Sequence, residues 1–201
     1  MFDMITIGSA TRDVFLVSDK FIALKSRKFQ TGVGECMTLG SKIDVDKLVL
    51  TTGGGATNAA GTFASLGLHT ATMTRIGDDS TGKDVIDDLS RFGVSTHFVH
   101  MVKGGQTGYS VLLTMKDGER TVLVFRGVSS QFEQQDIHWG GCEQTKWIYL
   151  TSLAGNLTLS KKVIENAHRC NIKVAWNPGK GELCSGMKFV VSFLPMVDVL
   201  M

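Results

Sequence analysis

Gly53-Gly54-Gly55-Ala56-Thr57-Asn58 lies between a strand-like run and a run with the apolar spacing of a helix. Consecutive glycines let the backbone come close to a ligand and adopt positive φ angles, and a helix N-terminus presents N–H groups that have no partner within the helix. The helix itself is indicated by small or apolar residues that recur on one face: Ala56, Ala59, Ala60, Phe63, Ala64 and Gly67. The segment therefore predicts a turn that can hold a polyhydroxylated or anionic ligand.

Three interpretations of this turn fit the pattern to different degrees. A Walker-type phosphate loop requires Gly-Lys-Ser/Thr, and no such triplet follows Gly55. A dinucleotide-binding fingerprint requires Gly-x-Gly-x-x-Gly; Gly53 and Gly55 fit its first half, but Asn58 stands where the last glycine should be. A flexible turn that merely precedes a helix is the third interpretation, and the pattern alone leaves it open.

The order of the predicted elements indicates the fold class. Helix and strand patterns alternate from Gly53 onward, and one antiparallel hairpin, with strands at 109–115 and 120–125, interrupts them. Region 14–52 contains short β-rich pieces without a helical period. We therefore expect an α/β fold, Rossmann-like with a mostly parallel, three-layer sheet, and a small β-sheet built from about 14–52 and 97–126.

The remaining predicted elements follow from the same patterns. Helices are predicted behind Thr81, from about Thr158 to Cys170, and near Met187–Leu194, with Thr81 and Asp84 as a helix N-cap and its return partner. The predicted strands outside the hairpin are Met4–Gly8, Val14–Val17, Glu35–Leu39, Lys47–Thr51, Thr70–Ile76, Trp147–Leu150, Lys173–Asn177 and Val197–Met201. The last of these has no helix after it to cover it, which favours an incomplete domain.

Composition and charge argue against several classes of protein. The formal net charge is +2 and charged residues make up 20% of the chain, so we expect neither a nucleic-acid partner nor a membrane partner. The four cysteines are widely spaced and form no Cys-x-x-Cys pair, which indicates free thiols rather than a metal site or a disulfide framework. The first residues contain no apolar run of signal-peptide type. We therefore expect a cytoplasmic protein with no metal site in this chain.

The glycine turn resembles the first signature of the PfkB family of carbohydrate kinases. The matching residues are Gly54-Gly55-Ala56-Thr57-Asn58-Ala59-Ala60, then Gly67, and then Gly77 within Arg75-Ile76-Gly77-Asp78-Asp79. Further family features fall in register along the whole chain: Gly8-Ser9-Ala10-Thr11-Arg12-Asp13, Thr107-Gly108-Tyr109, Gly118-Glu119-Arg120-Thr121, Arg126-Gly127, and Leu194-Pro195-Met196-Val197-Asp198-Val199-Leu200. The resemblance implies a ribokinase-like fold in which a sugar or nucleoside lies at the edge of the sheet under a β lid.

The resemblance also implies a set of substrate-binding residues. Asp13 would accept hydrogen bonds from two substrate hydroxyls, a task that suits an acceptor-only carboxylate. Gly54 and Gly55 would offer backbone N–H groups to the sugar, and Asn58 would donate and accept from the first turn of the helix. Tyr109 would pack on the substrate, and Arg126 would reach an acidic or phosphorylated one. Purely structural roles are the alternative for each: a turn carboxylate, structural glycines with a capping Asn, a side chain that fills the lid, and an exposed strand-end Arg.

The chemistry implied by the resemblance is transfer of the γ-phosphoryl group of ATP, with Mg²⁺, to a substrate hydroxyl. The family's base is an Asp in a Gly-x-Gly-Asp motif, and its metal motif is Asn-x-x-Glu; both motifs, and the ATP-binding part, would lie beyond Met201. We therefore expect no catalytic residue and no cofactor-binding residue in this chain. On this view it supplies the sugar-binding half of a kinase and is inactive alone.

Several alternatives stay open within and beyond this family. A nucleoside such as adenosine is an alternative substrate, since Gly55 stands where ribokinases and phosphosugar kinases often have Lys. A non-catalytic sugar-binding pseudokinase and, from another class, a dinucleotide-binding oxidoreductase are further possibilities. Lids of this family often pair between two chains, so a homodimer through the lid is also expected.

Overall fold

A computed structural model of the chain describes residues 1–184 and 187–201, apart from the side chain of residue 189. Its strands are β1 (Phe2–Ile7), β2 (Thr11–Val17), β3 (Ile22–Lys25), β4 (Val33–Cys36), β5 (Lys47–Gly53), β6 (Thr70–Met73), β7 (Arg75–Gly77), β8 (His100–Val102), β9 (Gly108–Thr114), β10 (Arg120–Phe125), β11 (Thr145–Leu150), β12 (Lys173–Trp176) and β13 (Val199–Leu200). Its helices are α1 (Gly55–Ser65), α2 (Ser80–Arg91), α3 (Trp139–Cys142), α4 (Leu157–Arg169), α5 (Lys180–Cys184) and α6 (Met187–Val191).

The chain divides into two compact units. The first contains residues 1–12, 52–108 and 126–201, and the second contains residues 13–51 and 109–125. Residues 97–108, which the sequence analysis grouped with the small β-sheet, lie in the first unit.

The first unit is built on a sheet with the strand order β13-β12-β11-β1-β6, and every strand pair described in it is parallel. Its central strands are nearly continuous apolar runs that end up fully buried, as is typical of parallel sheets covered by helices. The fully buried residues include Ile5, Ile7, Ile148, Leu150, Val174 and Trp176. The predicted α/β fold with a mostly parallel sheet is confirmed.

The predicted strand Thr70–Ile76 is wrong, because the structure has two strands there. β6 pairs with β1 as far as Met73, whereas β7 pairs with β8 in a separate two-stranded sheet. The chain leaves the main sheet at Thr74. A buried ion pair holds the next residue: Arg75 Nη1 donates to Asp136 Oδ2 at 3.0 Å. The hydrophobic pattern could not show this break, because the tertiary partner Asp136 is distant in sequence.

The predicted N-cap at Thr81 is also wrong. α2 begins at Ser80, and its cap is Asp79, whose Oδ1 accepts a hydrogen bond from the Gly82 N–H at 2.8 Å. Asp79 is also bound by Thr107, so a contact from another part of the chain selects the cap.

The second unit contains a four-stranded sheet with the order β10-β9-β2-β5 and a ribbon formed by β3 and β4. The predicted hairpin is present as β9 and β10, in a register that places Tyr109 opposite Phe125. β3 was not predicted, and its partner begins at Val33 rather than at Glu35. β10 and β5 are the two edges of this sheet.

Candidate substrate site at the edge of the parallel sheet

The loop after β1 holds the glycine turn in place. Gly54 has φ 104°, and a Cβ at this position would collide with the carbonyl oxygen of Ser9. The Ala56 N–H donates to that carbonyl at 3.2 Å, and the Gly55 N–H donates to Ser9 Oγ at 3.1 Å. Glycine is therefore required at position 54. The Gly55 amide, which the sequence analysis assigned to the sugar, donates to Ser9 within the chain.

A second wall of the site comes from the loop after β11. A side chain at Gly8 would collide with Thr151 Oγ1, and a Cβ at Gly55 would come within 2.8 Å of the same atom. The Thr151 N–H donates to the carbonyl of Ile7 at 2.9 Å. The carboxyl ends of two parallel strands and the N-terminus of α1 thus meet at one point, which is where open α/β sheets bind ligands.

Asn58 lies in the first turn of α1 and is exposed. Its neighbour Thr57 is buried and donates from Oγ1 to the carbonyl of Gly53 at 2.6 Å. Thr57 therefore stabilises the start of the helix, whereas Asn58 is accessible to a ligand.

The other predicted site residues are placed as follows. Asp13 on β2 and Tyr109 on β9 belong to the second unit, and both are half-buried. Arg126 belongs to the first unit, is exposed, and follows β10 at the start of the 3-10 turn Gly127–Ser130. Its carbonyl accepts a hydrogen bond from Ser129 Oγ at 2.7 Å. Three of the six predicted residues, Gly54, Gly55 and Asn58, lie in a single turn.

Sequence reasoning missed Glu182, on α5. It is fully buried, and its carboxylate accepts hydrogen bonds from Ser152 Oγ (2.8 Å) and from backbone N–H groups of the loops after β11 and β12. Burial alone would raise the pKa of Glu182, but the hydrogen bonds from Ser152, Gly155 and Leu153 outweigh burial, so the pKa lies below its usual value of 4.5. The available sequence signals were the polar pair Thr151-Ser152 at a strand end and, farther along the chain, the tetrad Gly179-Lys180-Gly181-Glu182.

The signature residues 77–79 have a structural role. Thr107 Oγ1 donates to Asp79 Oδ1 (2.6 Å), the Thr107 N–H donates to Asp79 Oδ2 (2.9 Å), and the Gly77 N–H donates to Thr107 Oγ1 (2.9 Å). Burial opposes ionisation of Asp79, but the hydrogen bonds from Thr107 and Gly82 outweigh it and lower its pKa. This carboxylate caps α2 and anchors the loop that leads into β9.

A site made only of protein ligands requires several His, Cys, Asp or Glu side chains that converge on one point. In residues 1–184 and 187–201, no group of three or more His, Cys, Asp and Glu side chains is arranged to hold a metal ion. The described side chains therefore offer no preformed cage of protein ligands for a metal ion. Within the same residues, no helix is long and apolar enough to cross a bilayer.

The architecture is that of a ribokinase-like kinase. A solved structure of Arabidopsis thaliana ribokinase complexed with ribose and ATP matches 99% of this chain and 59% of its own, with a TM-score of 0.74 and 19% identity. The structure of adenosine kinase from Sinorhizobium meliloti matches 99% of this chain and 64% of its own, with a TM-score of 0.70 and 21% identity. At these identities the likeness shows the fold.

The chain belongs to the pfkB family of carbohydrate kinases, whose family model matches residues 1–175. Ribokinase of Mus musculus is 23% identical over 158 residues, which cover 73% of this chain and 49% of that protein. The chain spans about half the length of the curated relatives it matches. The resemblance seen in the sequence is thereby confirmed.

Proposed function

We propose that this chain is the sugar-binding half of a kinase that transfers the γ-phosphoryl group of ATP to a sugar hydroxyl. The observation that carries the proposal is the glycine turn at the start of α1, held by Ser9 and Thr151 at the carboxyl edge of a parallel sheet. A turn of this kind offers backbone donors and an exposed Asn58 to a polyhydroxylated ligand. Membership of a carbohydrate kinase family supports the same substrate class.

The proposed contacts are those that the resemblance to the family implies. Asp13 accepts hydrogen bonds from two sugar hydroxyls, Gly54 offers a backbone N–H, and Asn58 donates and accepts from its carboxamide. The Gly55 N–H already donates to Ser9 Oγ, so it can reach the sugar only when the Ser9 side chain turns away. Tyr109 packs on the substrate.

The phosphoryl-transfer step itself is assigned to no residue of this chain. The printed sequence contains neither a Gly-x-Gly-Asp motif nor an Asn-x-x-Glu motif after the hairpin. ATP and Mg²⁺ enter the proposal through the family, and no step through Mg²⁺ is derived, since the described side chains contain no group of three or more metal-ligating residues. We therefore expect the purified 201-residue chain to phosphorylate no sugar.

A nucleoside is the second candidate substrate. Gly55 leaves the turn without the Lys that ribokinases often have there, and solved neighbours include an adenosine kinase and a nucleoside kinase in complex with inosine. An acidic sugar is favoured if Arg126 takes part in binding. A pseudokinase that binds sugar without transferring phosphate remains the non-catalytic alternative.

Two further parts of the proposal concern location and assembly. The four cysteines are free thiols, which supports a location in the reducing cytoplasm.

We also propose a homodimer that forms through the second unit. Support for the dimer is the exposure of Val122, Leu123, Val124 and Phe125 on the edge strand β10.

A ligand screen tests the proposal. The thermal midpoint of the purified chain is measured with ribose, deoxyribose, fructose, adenosine and inosine, and a bound ligand raises it. We expect one class to do so, and Asp13→Asn and Asn58→Ala to abolish the shift. Glu165→Gln, on the exposed side of α4, is the matched control. Absence of any shift, or ATP-dependent phosphorylation by this chain alone, contradicts the proposal.

A further inference from the structure

The loop after β11 has an unusual backbone. Ala154 has φ 56° and Gly155 has φ 86°, so two successive residues adopt the left-handed region. A left-handed conformation is unfavourable for alanine, because its Cβ comes too close to the following carbonyl oxygen. Such a conformation persists when surrounding contacts impose it.

Glu182 supplies those contacts. Its Oε1 accepts from the Leu153 N–H at 2.8 Å and from the Gly155 N–H at 3.0 Å, the two amides that flank Ala154. Its Oε2 accepts from Ser152 Oγ at 2.8 Å and from the Gly179 N–H at 3.0 Å. Backbone N–H groups that converge in this way form an anion-binding nest, and here the anion belongs to the chain itself.

The nest is sealed by close packing. A Cβ at Gly179 would come within 2.6 Å of Ser152, and a Cβ at Gly181 would come within 3.0 Å of Gly155. Glu182 has no solvent exposure. A carboxylate has about four acceptor sites, and four donors occupy them.

This arrangement excludes a catalytic role for Glu182. The tetrad Gly179-Lys180-Gly181-Glu182 has the form of a Gly-x-Gly-acid motif. A general base must reach the proton that it removes, directly or through one water. A carboxylate that is buried and saturated with donors cannot do so.

The nest is directly connected to the candidate substrate site. Ser152 follows Thr151, and Thr151 Oγ1 is the atom that a side chain at Gly8 or Gly55 would meet. Because Ser152 is bound to Glu182, the nest also fixes the position of Thr151, whose side chain forms the second wall of the candidate site; we call it the Thr151 wall.

We propose that Glu182 is a positioning residue: it acts as the built-in anion of a nest formed by Ser152, Leu153, Gly155 and Gly179, and so fixes the Thr151 wall of the sugar site. The second clause rests on the proposed function, and the first does not.

Chemical rescue tests both clauses. Glu182→Ala removes a CH₂–COO⁻ group, which acetate can replace. We expect the variant to lose about tenfold in sugar affinity and to recover it with saturating acetate, whereas chloride at the same ionic strength has no effect. In ¹⁵N-labelled protein the amides of Leu153, Gly155 and Gly179 should return towards their wild-type shifts.

Two controls separate this role from a merely structural one. Glu182→Gln fills the same space, so acetate should not rescue it. Glu165→Ala, at an exposed position of α4, should bind sugar normally and ignore acetate. If Glu182→Ala does not fold, the proposal requires acetate, and not chloride, to restore its cooperative thermal transition.

The outcomes are distinguishable. If Glu182→Ala folds but acetate does not change the chemical shifts of the Leu153, Gly155 and Gly179 amides, the assignment of the nest is wrong. If the amide shifts of Glu182→Ala respond to acetate but its sugar affinity equals that of wild type with and without acetate, Glu182 does not position the sugar site. A wild-type chain that binds no sugar overturns the proposed function, and the acetate response of the three amides then decides the nest alone.

Discussion

At the residue scale, Gly54 combines two separate demands on the backbone. Its φ of 104° is unfavourable for any side chain, and a Cβ there would also collide with the Ser9 carbonyl. We expect Gly54→Ala to destabilise the chain by about 1–3 kcal/mol and to abolish the sugar-induced thermal shift, because the start of α1 must move away from the loop after β1. Urea unfolding and the ligand screen measure the two effects.

Gly67 is the matched control for that prediction. It has a φ of 88°, but a Cβ there would have no neighbour within 4 Å. Gly67→Ala therefore isolates the conformational cost and should leave ligand binding intact. Equal losses in both variants would show that the contact with Ser9 is unimportant.

Sequence reasoning at this scale located the turn but not its neighbours. Consecutive glycines before a helical period are a local pattern, so Gly54, Gly55 and Asn58 could be singled out. The roles of Ser9, Thr151 and Glu182 arise from contacts between the ends of separate strands, which no local pattern encodes. The ligand-binding roles of Asp13, Tyr109 and Arg126 stay predictions.

At the element scale, the start of α2 depends on the ionised form of Asp79. Its pKa is lowered from the usual 3.8, because the hydrogen bonds from Thr107 and Gly82 outweigh burial. A lowered folded-state pKa gives stability that is fully present above the unfolded value and is lost as the pH falls through the folded value. Asn can still cap α2, but its amide keeps only one acceptor oxygen for the three hydrogen bonds that Asp79 accepts. We therefore expect Asp79→Asn to cost about 1 kcal/mol near neutral pH.

The pH dependence distinguishes this carboxylate from others on the same helix. The urea midpoints of wild type and Asp79→Asn should differ by a constant amount near neutral pH and converge as the pH falls through the usual Asp pKa of 3.8 towards 3. Asp87→Asn changes an exposed position of α2, and its urea midpoint should change with pH in the same way as that of wild type. Midpoints of Asp79→Asn that stay equally far below wild type down to pH 3 would contradict the assignment.

Element boundaries show where local patterns stop being informative. The helices that begin at Gly55 and Leu157 were predicted to within a few residues, because both have apolar faces with helical spacing. The break at Thr74 and the cap at Asp79 were missed, since Asp136 and Thr107 decide them from elsewhere in the chain.

At the scale of the whole molecule, the second unit has exposed apolar edges. Leu123 on β10 is 55% exposed, and Leu50 on β5 is 51% exposed. If the proposed dimer forms through β10, a charge at its centre should block it, since lysine on an edge strand opposes pairing. We expect light scattering to show a dimer for wild type and a monomer for Leu123→Lys.

Leu66 provides the control for the dimer. It follows α1 in the first unit and is 74% exposed, so Leu66→Lys should remain dimeric. If wild type is monomeric, the proposed dimer is wrong. If Leu123→Lys is still dimeric, the dimer does not form through β10.

The parallel sheet of the first unit also determines when the chain can fold during synthesis. β1 is made first, but it pairs with β6, which ends at Met73, and with β11, which ends at Leu150. At about 5–20 residues per second, the ribosome takes roughly 7–30 s to complete β11 after it starts β1. During that time the apolar residues of β1 have a neighbouring strand on one side at most, so we expect the nascent chain to be prone to aggregation and to need chaperones.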